Sequence, residues 1–325
     1  MHTTRLGQHG PQVSRLGFGS MQLAWKAPEH DSEGVAAIQA ALDAGINFLD
    51  TADFYGMGRS EQLIGRALKG RREQAFLSVK CGAMFSPGGV FLGIDGRPQA
   101  VKNFAAYSLQ RLGVEVIDLY QACRVDPDVP YEDTIGAIAD LIREGKVRHL
   151  GVSEVGAAHL RLAHAIHPVA ALEIEYSLAC RFIEAEILPT ARELGIAVVA
   201  YRVLADGLLS ATVGRQTAQQ NPPSRLPRLQ AGNLEQNLRP VAVLERLAAA
   251  RGCSPAQLAI AWLLSRGEDI IPLVGISRRS RVPETLRALD LTLDAGERAS
   301  LEVAFAPGAI AGERYPEAMM KLVPR

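Results

Sequence analysis

The chain of 325 residues has little that points to a membrane, a secreted scaffold or a nucleic-acid surface. No apolar run approaches the roughly 18 residues that a membrane span needs. The N-terminal stretch MHTTRLGQHGPQV lacks the apolar core of a secretory signal. The 35 basic residues are balanced by 35 acidic residues, so no charge excess favours nucleic acid or an anionic membrane as a partner.

Cysteine is scarce as well. Cys81, Cys123, Cys180 and Cys253 lie far apart without the spacing of a metal site, which predicts reduced thiols, no bound metal and a cytoplasmic location. Apolar residues are plentiful at 48%, with 22% charged, as in globular proteins with a full core. We find no sign of a second domain and therefore predict one domain over residues 1–325.

Short β-branched runs alternate with amphipathic helical runs along the chain. The predicted strands are residues 16–21, 46–50, 75–80, 116–123, 147–154, 171–176, 195–201 and 269–276. The clearest helical patterns are residues 33–45, 60–70, 98–112 and 131–145, the last with Ile135, Ile138, Leu141 and Ile142 on one face. The polar, proline-rich stretch 219–236 is predicted to be an irregular lid or substrate-contacting arm.

Strands that each lead into a helix predict a parallel sheet with crossover helices. A doubly wound sheet and a closed barrel both fit this alternation. The count of eight strands, and the lack of a GxGxxG motif after the first, favour an α/β fold of the (β/α)8 barrel type. Functional groups of such a barrel belong at the C-terminal ends of its strands.

Chemically active side chains do fall at these strand ends. Asp50 ends the second strand, Tyr55 follows in its loop, Lys80 ends the third strand and Cys123 ends the fourth. A lysine ammonium favours the phenolate of a nearby tyrosine and lowers its pKa, which would make Tyr55 a general acid for a carbonyl oxygen. The alternative is a structural ion pair beside a loop aromatic.

The last strand leads into a basic segment. Ser277, Arg278, Arg279 and Arg281 stand at the predicted start of a helix, whose free N–H groups and positive dipole end attract phosphate. We interpret this segment as a phosphate site of a cofactor. A solvated basic helix start is the alternative.

Several stretches together resemble the aldo-keto reductase superfamily. They are NFLDTADFYG, SEQLIGRAL, LSVKCG, IDLYQACRVDP, REGKVRHLGVSE, EYSL, GIAVVAY and AGERYPEAM. The resemblance runs from about residue 4 to the C-terminus. It implies a (β/α)8 barrel plugged by an N-terminal β-hairpin, an NADP(H) site across the C-terminal rim, and reduction of aldehydes or ketones to alcohols.

The resemblance also implies catalytic roles. Asp50, Tyr55 and Lys80 fall on three of the family's four catalytic positions, and Cys123 stands where the family has a histidine. A neutral thiol is a weaker hydrogen-bond donor than an imidazole. Cys123 is therefore interpreted as a small filler, with a nucleophile activated by Lys80 as the alternative.

Cofactor contacts follow from the same resemblance. The implied NADP(H)-binding residues are Gly19, Ser20, Met21, Ser153, Glu154, Glu173, Tyr201, Arg202, Leu204, Ser277, Arg278, Arg281, Glu284 and Thr285. Glu173 replaces the glutamine that holds the nicotinamide carboxamide. Arg202 begins a run, RVLADG, that departs from the family's pyrophosphate loop and leaves Arg202 free to reach the pyrophosphate or Glu173.

The substrate pocket is expected to include Met21, Trp25, Phe54, Phe85 and the loop 202–236, an apolar lining that suits a hydrophobic carbonyl compound. Many members of the superfamily are monomers, so a monomer or small homo-oligomer is expected. Two other functions stay open. One is a non-redox acid–base enzyme, such as a dehydratase, cyclase or isomerase. The other is a non-catalytic sensor or binding subunit.

Overall fold

The computed structural model describes residues 2–213 and 225–324. Its strands are β1 Thr3–Arg5, β2 Gln12–Ser14, β3 Gly17–Gly19, β4 Phe48–Ala52, β5 Phe76–Cys81, β6 Ala83–Phe85, β7 Phe91–Ile94, β8 Ile117–Ala122, β9 Val147–Ser153, β10 Val169–Glu175, β11 Ala197–Tyr201 and β12 Ile270–Gly275. Eight of them form a closed parallel barrel in the order β3-β4-β5-β8-β9-β10-β11-β12, with β12 pairing back to β3. The predicted (β/α)8 barrel is confirmed.

Helices cover the outside of the barrel. They are α1 Met21–Ala24, α2 Asp31–Asp43, α3 Arg59–Ala67, α4 Pro98–Leu112, α5 Tyr131–Arg143, α6 Ala157–Ile166, α7 Ile187–Glu193, α8 Asn233–Ala250, α9 Pro255–Leu264, α10 Arg281–Leu286, α11 Ala295–Ala304 and α12 Glu317–Met320. None of these helices, within residues 2–213 and 225–324, combines the length and the apolar character needed to cross a bilayer.

Local sequence accounts for the ends of these helices. Proline opens α4 and α9, where its missing N–H costs no hydrogen bond. Ser254 closes a capping box with Gln257 at the start of α9. The predicted face of α5 is largely confirmed, because Ile135, Ile138 and Leu141 are buried, whereas Ile142 is only partly buried.

The N-terminal hairpin of β1 and β2 plugs the bottom of the barrel, as expected. Leu6 and Val13, which are completely buried, join an inner cluster with strand residues such as Phe48 and Ile271. The Gln8 amide donates to the Gly195 carbonyl just before β11, at 2.7 Å. Apolar contact and this backbone bond together seal the end of the barrel opposite the functional rim.

Two segments differ from the sequence-based expectation. β6 and β7 form an antiparallel hairpin after Lys80 that was not predicted, although Pro87 and the glycines that follow are a clear turn signal. Of the stretch 219–236 that was predicted to be irregular, residues 219–224 lie outside the described residues. Its end at 233–236 belongs to α8, so that assignment was wrong there. Leu234, Val241 and Leu244 are buried at helical spacing and outweigh the polar composition.

The loop after β11 holds an unusual backbone. Arg202, Ala205, Asp206 and Ala211 all have φ between 46° and 55°, in the left-handed region that disfavours every residue with a Cβ except, to a degree, Asn and Asp. Such strain persists only where the surrounding structure enforces it and is concentrated at functional sites. The loop lies at the C-terminal rim of the barrel.

Ala211→Gly is expected to raise the free energy of unfolding by about 1 kcal/mol, because Ala211 is exposed and glycine removes the left-handed strain without losing a buried contact. Ala242→Gly is the matched control in the middle of α8. At this exposed helical position the same change should lower stability by about 1 kcal/mol. Urea titrations of both variants measure the free energy of unfolding, which should rise in Ala211→Gly and fall in Ala242→Gly. A fall in Ala211→Gly would show that the backbone at Ala211 is not strained.

Candidate active site

A lysine held between two carboxylates lies at the centre of the barrel mouth. Lys80, on β5, contacts Asp50 on β4 at 2.5 Å and Glu173 on β10 at 3.0 Å. All three side chains are buried. Parallel strands bring these residues together because their C-terminal ends all point to the same rim.

The hydroxyl of Ser78 and the amide of Gln121 extend this cluster. Ser78 Oγ donates to Asp50 Oδ2 at 2.9 Å, and Gln121 Nε2 donates to Ser78 Oγ at 2.7 Å and to Glu173 Oε2 at 3.1 Å. Gln121 Oε1, in contrast, is buried and has no hydrogen-bond partner among the described residues. The network fixes the orientation of both carboxylates around Lys80.

Burial and charge set the protonation of the cluster. Burial raises the pKa of Asp50 well above its usual value, the Glu173 charge raises it further, and Lys80 offsets this only in part. Burial opposes the charged form of Lys80, but Asp50 and Glu173 together raise its pKa above the ordinary lysine value. Lys80 is therefore a permanent cation whose charge is largely neutralised by its two partners.

Tyr55 stands beside this cation. The Lys80 ammonium lies over the Tyr55 ring, 5.4 Å from its centroid. The side chain is partly exposed, and no described residue hydrogen-bonds to its hydroxyl. The hydroxyl is thus open to a ligand at the mouth of the barrel.

The expected lowering of the Tyr55 pKa is wrong for the protein alone. Burial raises the pKa of Tyr55 above its usual value. The ammonium of Lys80 opposes this rise, but the charges of Asp50 and Glu173 act with burial. The physical reason is that burial disfavours the phenolate more than Lys80 favours it, and the two carboxylates cancel part of the lysine charge that the sequence argument relied on.

Cys123 follows β8 and stays paired with the neighbouring strand, its amide donating to the Cys81 carbonyl at 2.9 Å. The side chain is 2% exposed. Burial raises the pKa of the Cys123 thiol to about 12, although Arg124 and Lys80 both oppose this rise. The thiol is therefore protonated at neutral pH, which argues against the nucleophile considered from sequence.

A second buried cluster borders the first. Glu154, with φ of 51°, accepts hydrogen bonds from Arg314 at 2.8 and 3.1 Å and from the Tyr201 hydroxyl at 2.8 Å. Tyr201 and Tyr315 also share a hydrogen bond through their hydroxyls. Burial opposes ionisation of Glu154, but its contacts with Arg314 outweigh burial and lower its pKa. The C-terminal segment is thereby tied to the ends of β9 and β11.

Arg202 does not reach Glu173, which corrects one expectation. Its guanidinium lies 3.7 Å from Glu175 and 3.4 Å from Asp206, and it stacks on the Tyr315 ring at 4.3 Å. Glu173 and Glu175 are two residues apart on β10 and point to the same face. The two carboxylates have different partners, because Glu173 pairs with Lys80 whereas Glu175 pairs with arginines.

Comparisons with known proteins agree with this geometry. Residues 15–304 match the model of the Aldo/keto reductase family. The chain belongs to this family. It is 40% identical over 319 residues to probable aldo-keto reductase 1 of Glycine max, covering 96% of this chain and 91% of that protein.

Solved aldo/keto reductases share the fold. The glycerol dehydrogenase AKR11B4 of Gluconobacter oxydans superimposes with a TM-score of 0.87 at 31% identity, covering 96% of this chain and 97% of that one. An aldo/keto reductase of Klebsiella pneumoniae, solved with NADP and acetate, gives a TM-score of 0.76 at 24% identity, covering 97% and 99% of the two chains. Membership of this family supports an oxidoreductase that acts on carbonyl compounds.

The residues expected to bind phosphate lie on the rim beyond β12. Arg278, Arg279 and Arg281 are exposed. Arg281 pairs with Glu284 at 2.9 Å inside α10, and Ser277 accepts a hydrogen bond from Lys26 through its carbonyl oxygen. Thr285 is buried. The helix begins only at Arg281, so Ser277 to Arg279 precede it rather than form its first turn.

The other expected cofactor residues of this aldo/keto reductase differ in accessibility. Ser20 is completely buried and donates from its hydroxyl to the Asp50 carbonyl at 2.6 Å. Ser153 is buried at the end of β9, whereas Gly19 and Leu204 are partly exposed and Met21 is 44% exposed. Ser20 thus joins β3 to β4 through a side-chain bond, and Met21 projects to the surface.

Aromatic rings form a row that leads outward from Tyr55. Phe54 packs edge-on against Tyr55, with centroids 5.1 Å apart, and stacks on Phe85 at 6.0 Å. Phe85 in turn contacts Phe91 of the unpredicted hairpin at 5.6 Å. Trp25 is 62% exposed and makes no ring contact with this row in the part of the chain that the structure describes.

Sequence reasoning missed several groups at the mouth. Ser78, Gln121, Arg124, Arg314 and Tyr315 were not assigned, although all five lie in the quoted stretches LSVKCG, IDLYQACRVDP and AGERYPEAM. Arg314 and Tyr315 also fall outside the matched residues 15–304. Periodicity carries no signal for them, because their roles arise from contacts with distant strands.

A buried carboxyl beside the site responds to pH. Asp53, two residues before Tyr55, is 9% exposed, and its Oδ1 has no hydrogen-bond partner among the described residues. Burial, with a contribution from the Glu61 charge, raises the pKa of Asp53 to about 8, against the opposing charge of Arg111. The folded chain therefore keeps a proton on Asp53 that the unfolded chain loses near pH 4.

Because the folded state holds this extra proton between about pH 4 and pH 8, its stability contribution falls as the pH rises through that window. Asp53→Asn is expected to remove the effect. In thermal melts, the Tm of the variant minus the Tm of the wild type should rise by several degrees as the pH is raised from 5 to 8.5. Asp128→Asn, an exposed change of the same kind, is the control. A difference between Asp53→Asn and wild type that stays constant with pH would refute the assignment.

Proposed function

We propose that this aldo/keto reductase reduces an aldehyde or ketone to an alcohol with NADPH, and that Tyr55 donates the proton. The observation that carries the proposal is the open Tyr55 hydroxyl beside a lysine that its carboxylate partners keep charged. The relation to a glycerol dehydrogenase at 31% identity supports chemistry between alcohol and carbonyl. The hydrophobic row from Phe54 to Phe91 supports an apolar substrate.

The residues at the rim fit the cofactor. Arg278, Arg279 and Arg281 are exposed beyond β12 and bring positive charge to the place where barrels of this kind hold phosphate. Arginine binds phosphate through paired N–H groups. The partly exposed Tyr201 offers a ring face for a flat heterocycle. When bound, NADPH supplies the hydride that reduces the carbonyl carbon.

Residues of the chain donate the proton and stabilise the group that loses it. The raised pKa keeps the Tyr55 hydroxyl protonated, so it can donate to the carbonyl oxygen as negative charge develops there. Lys80 then stabilises the phenolate that remains. Asp50 and Glu173 hold the ammonium in place, and both also reduce its net positive charge.

The proposed site is modified at two positions. Cys123 takes the place that the family gives to a histidine, and a protonated thiol donates only weakly to a substrate oxygen. Losing one strong donor of this type typically costs about 3 kcal/mol of transition-state stabilisation. Glu173 takes the place of a neutral glutamine and adds a carboxylate to the cluster around Lys80.

Tyr55→Phe should lower kcat for NADPH-dependent reduction of 4-nitrobenzaldehyde by about 10²–10⁴-fold, because it removes the proton donor. Cys123→Ala should change kcat by less than about fivefold, because the thiol fills space and donates weakly. Quenching of protein fluorescence by NADPH measures binding in both variants and should be unchanged. Equal losses in the two variants would contradict the assigned roles, and absence of quenching in the wild type would refute the reductase.

Glu173→Gln should move the alkaline limb of the pH–kcat profile for reduction to lower pH. Removing the carboxylate leaves more of the Lys80 charge to favour the Tyr55 phenolate, so the pKa of Tyr55 falls. The profile is measured from pH 6 to about pH 11.5 at saturating NADPH, because the raised pKa of Tyr55 places the limb of the wild type above the usual tyrosine value of about 10. Glu184→Gln, a change of the same type outside the mouth, is the control. A limb that stays in place or moves to higher pH would show that Glu173 does not act on Tyr55.

One observation favours a second candidate, an acid–base enzyme without a redox step. Glu154 and Tyr201, which the resemblance assigns to the cofactor, are engaged by Arg314 and Tyr315 of the same chain. Asp50, Tyr55 and Lys80 would then serve an elimination or isomerisation. The NADPH quenching titration separates the two candidates, because only the reductase requires the dinucleotide.

A further inference from the structure

Among the residues that the structure describes, Arg124 has no acidic partner at the barrel mouth. Neighbouring cations are paired: Lys80 with Asp50 and Glu173, Arg202 with Asp206, Arg228 with Glu175 and Arg314 with Glu154. Arg124 has no carboxylate within 4.0 Å in residues 2–213 and 225–324. The sequence of the remaining internal stretch, GRQTAQQNPPS, contains no acidic residue.

The backbone holds Arg124 firmly at this place. It follows Cys123, whose amide is bonded to the neighbouring strand through the Cys81 carbonyl at 2.9 Å. The side chain is partly buried, and its Nη1 donates to the Cys123 carbonyl oxygen. This is the one hydrogen bond of its guanidinium to the described part of the chain, so most of its N–H donors are left for a ligand.

The Arg124 guanidinium lies at the end of β8 beside Cys123, to whose carbonyl oxygen it donates. Burial raises the pKa of Tyr55, Cys123 and Tyr201, and in all three the positive charge of Arg124 opposes the rise. Arg124 is therefore near enough for its charge to act on the proton donor, the thiol and the ring expected to face the cofactor. Glu154 is near enough to act on Arg124 electrostatically but is occupied by Arg314.

A partly buried arginine without a counter-ion is unfavourable unless a ligand supplies the opposite charge and accepts its hydrogen bonds. Its planar group matches a carboxylate or a phosphate through two parallel hydrogen bonds. The Arg124 guanidinium is therefore suited to bind an anion.

We propose that Arg124 binds a carboxylate on the substrate and so makes this protein selective for carbonyl compounds that carry an acid group. The inference rests on the proposed reduction and adds a substrate class to it. The acid group anchors the substrate at Arg124 while its carbonyl oxygen meets Tyr55. The aromatic row beginning at Phe54 accepts the apolar part of the molecule.

Binding is tested first without any reaction. Calorimetric titration of the full chain with benzoate and with benzamide compares an anion with a neutral molecule of the same shape. Benzoate should bind and benzamide should bind at least tenfold more weakly. Arg124→Gln should weaken benzoate binding about tenfold to a hundredfold, the range for a hydrogen bond to a charged group. Arg143→Gln, on the outer face of α5, should leave it unchanged.

Kinetics then tests selectivity. The 2-, 3- and 4-formylbenzoates are each compared with their methyl esters, using NADPH. At least one acid should have a kcat/KM tenfold or more above its ester, and Arg124→Gln should abolish this ratio through KM. A thermal melt of Arg124→Gln confirms that it is folded. The ratio of acid to ester is taken within each variant, so any effect of the lost charge on Tyr55 acts on both substrates and cancels from the ratio.

The outcomes are distinct. Equal binding of benzoate and benzamide, or benzoate binding that survives Arg124→Gln, overturns the anion site. A loss of NADPH affinity of tenfold or more in Arg124→Gln also overturns it, because Arg124 would then hold the cofactor phosphates. If the wild type binds benzoate through Arg124 but neither binds NADPH nor reduces any aldehyde, the proposed reduction fails and the anion site remains.

Discussion

The charge of Lys80 is the constraint on which the candidate site depends. A buried ammonium is stable only with partners, and here Asp50 and Glu173 both supply a carboxylate from neighbouring or facing strands. Ser78 and Gln121 fix those carboxylates by hydrogen bonds. The arrangement gives a permanent cation beside Tyr55 whose field is weaker than that of a lysine with one acidic partner.

The mouth of the barrel is divided into zones of different charge balance. Around Lys80 the carboxylates outnumber the cation, whereas near β9 and β11 the side chains of Arg202 and Arg314 pair with carboxylates of their own. Arg124, beside Cys123, has no acidic partner among the residues that the structure describes. A substrate with a negative charge would pair with the Arg124 guanidinium, whereas a neutral substrate would leave it unpaired.

The fold follows from patterns that act over short distances. Strand and helix alternation, the count of eight strands and the lack of a GxGxxG motif after the first strand predicted a barrel, and the structure has it. The β6–β7 hairpin and the start of α8 were missed because composition was weighed above turn residues and apolar spacing. The site prediction placed Asp50, Tyr55 and Lys80 at one rim but expected a phenol of lowered pKa.

The sequence by itself determined the barrel, the strand ends that carry reactive groups and the membership of the aldo/keto reductase family, because these depend on local periodicity and on residue types at fixed positions. Only the tertiary structure decided the charge state of the site. Whether Glu173 meets Lys80, whether Arg314 reaches Glu154 and whether Arg124 finds an acid depend on side chains far apart in the chain. Burial and Coulomb interactions act on distances in space, which no spacing along the sequence expresses.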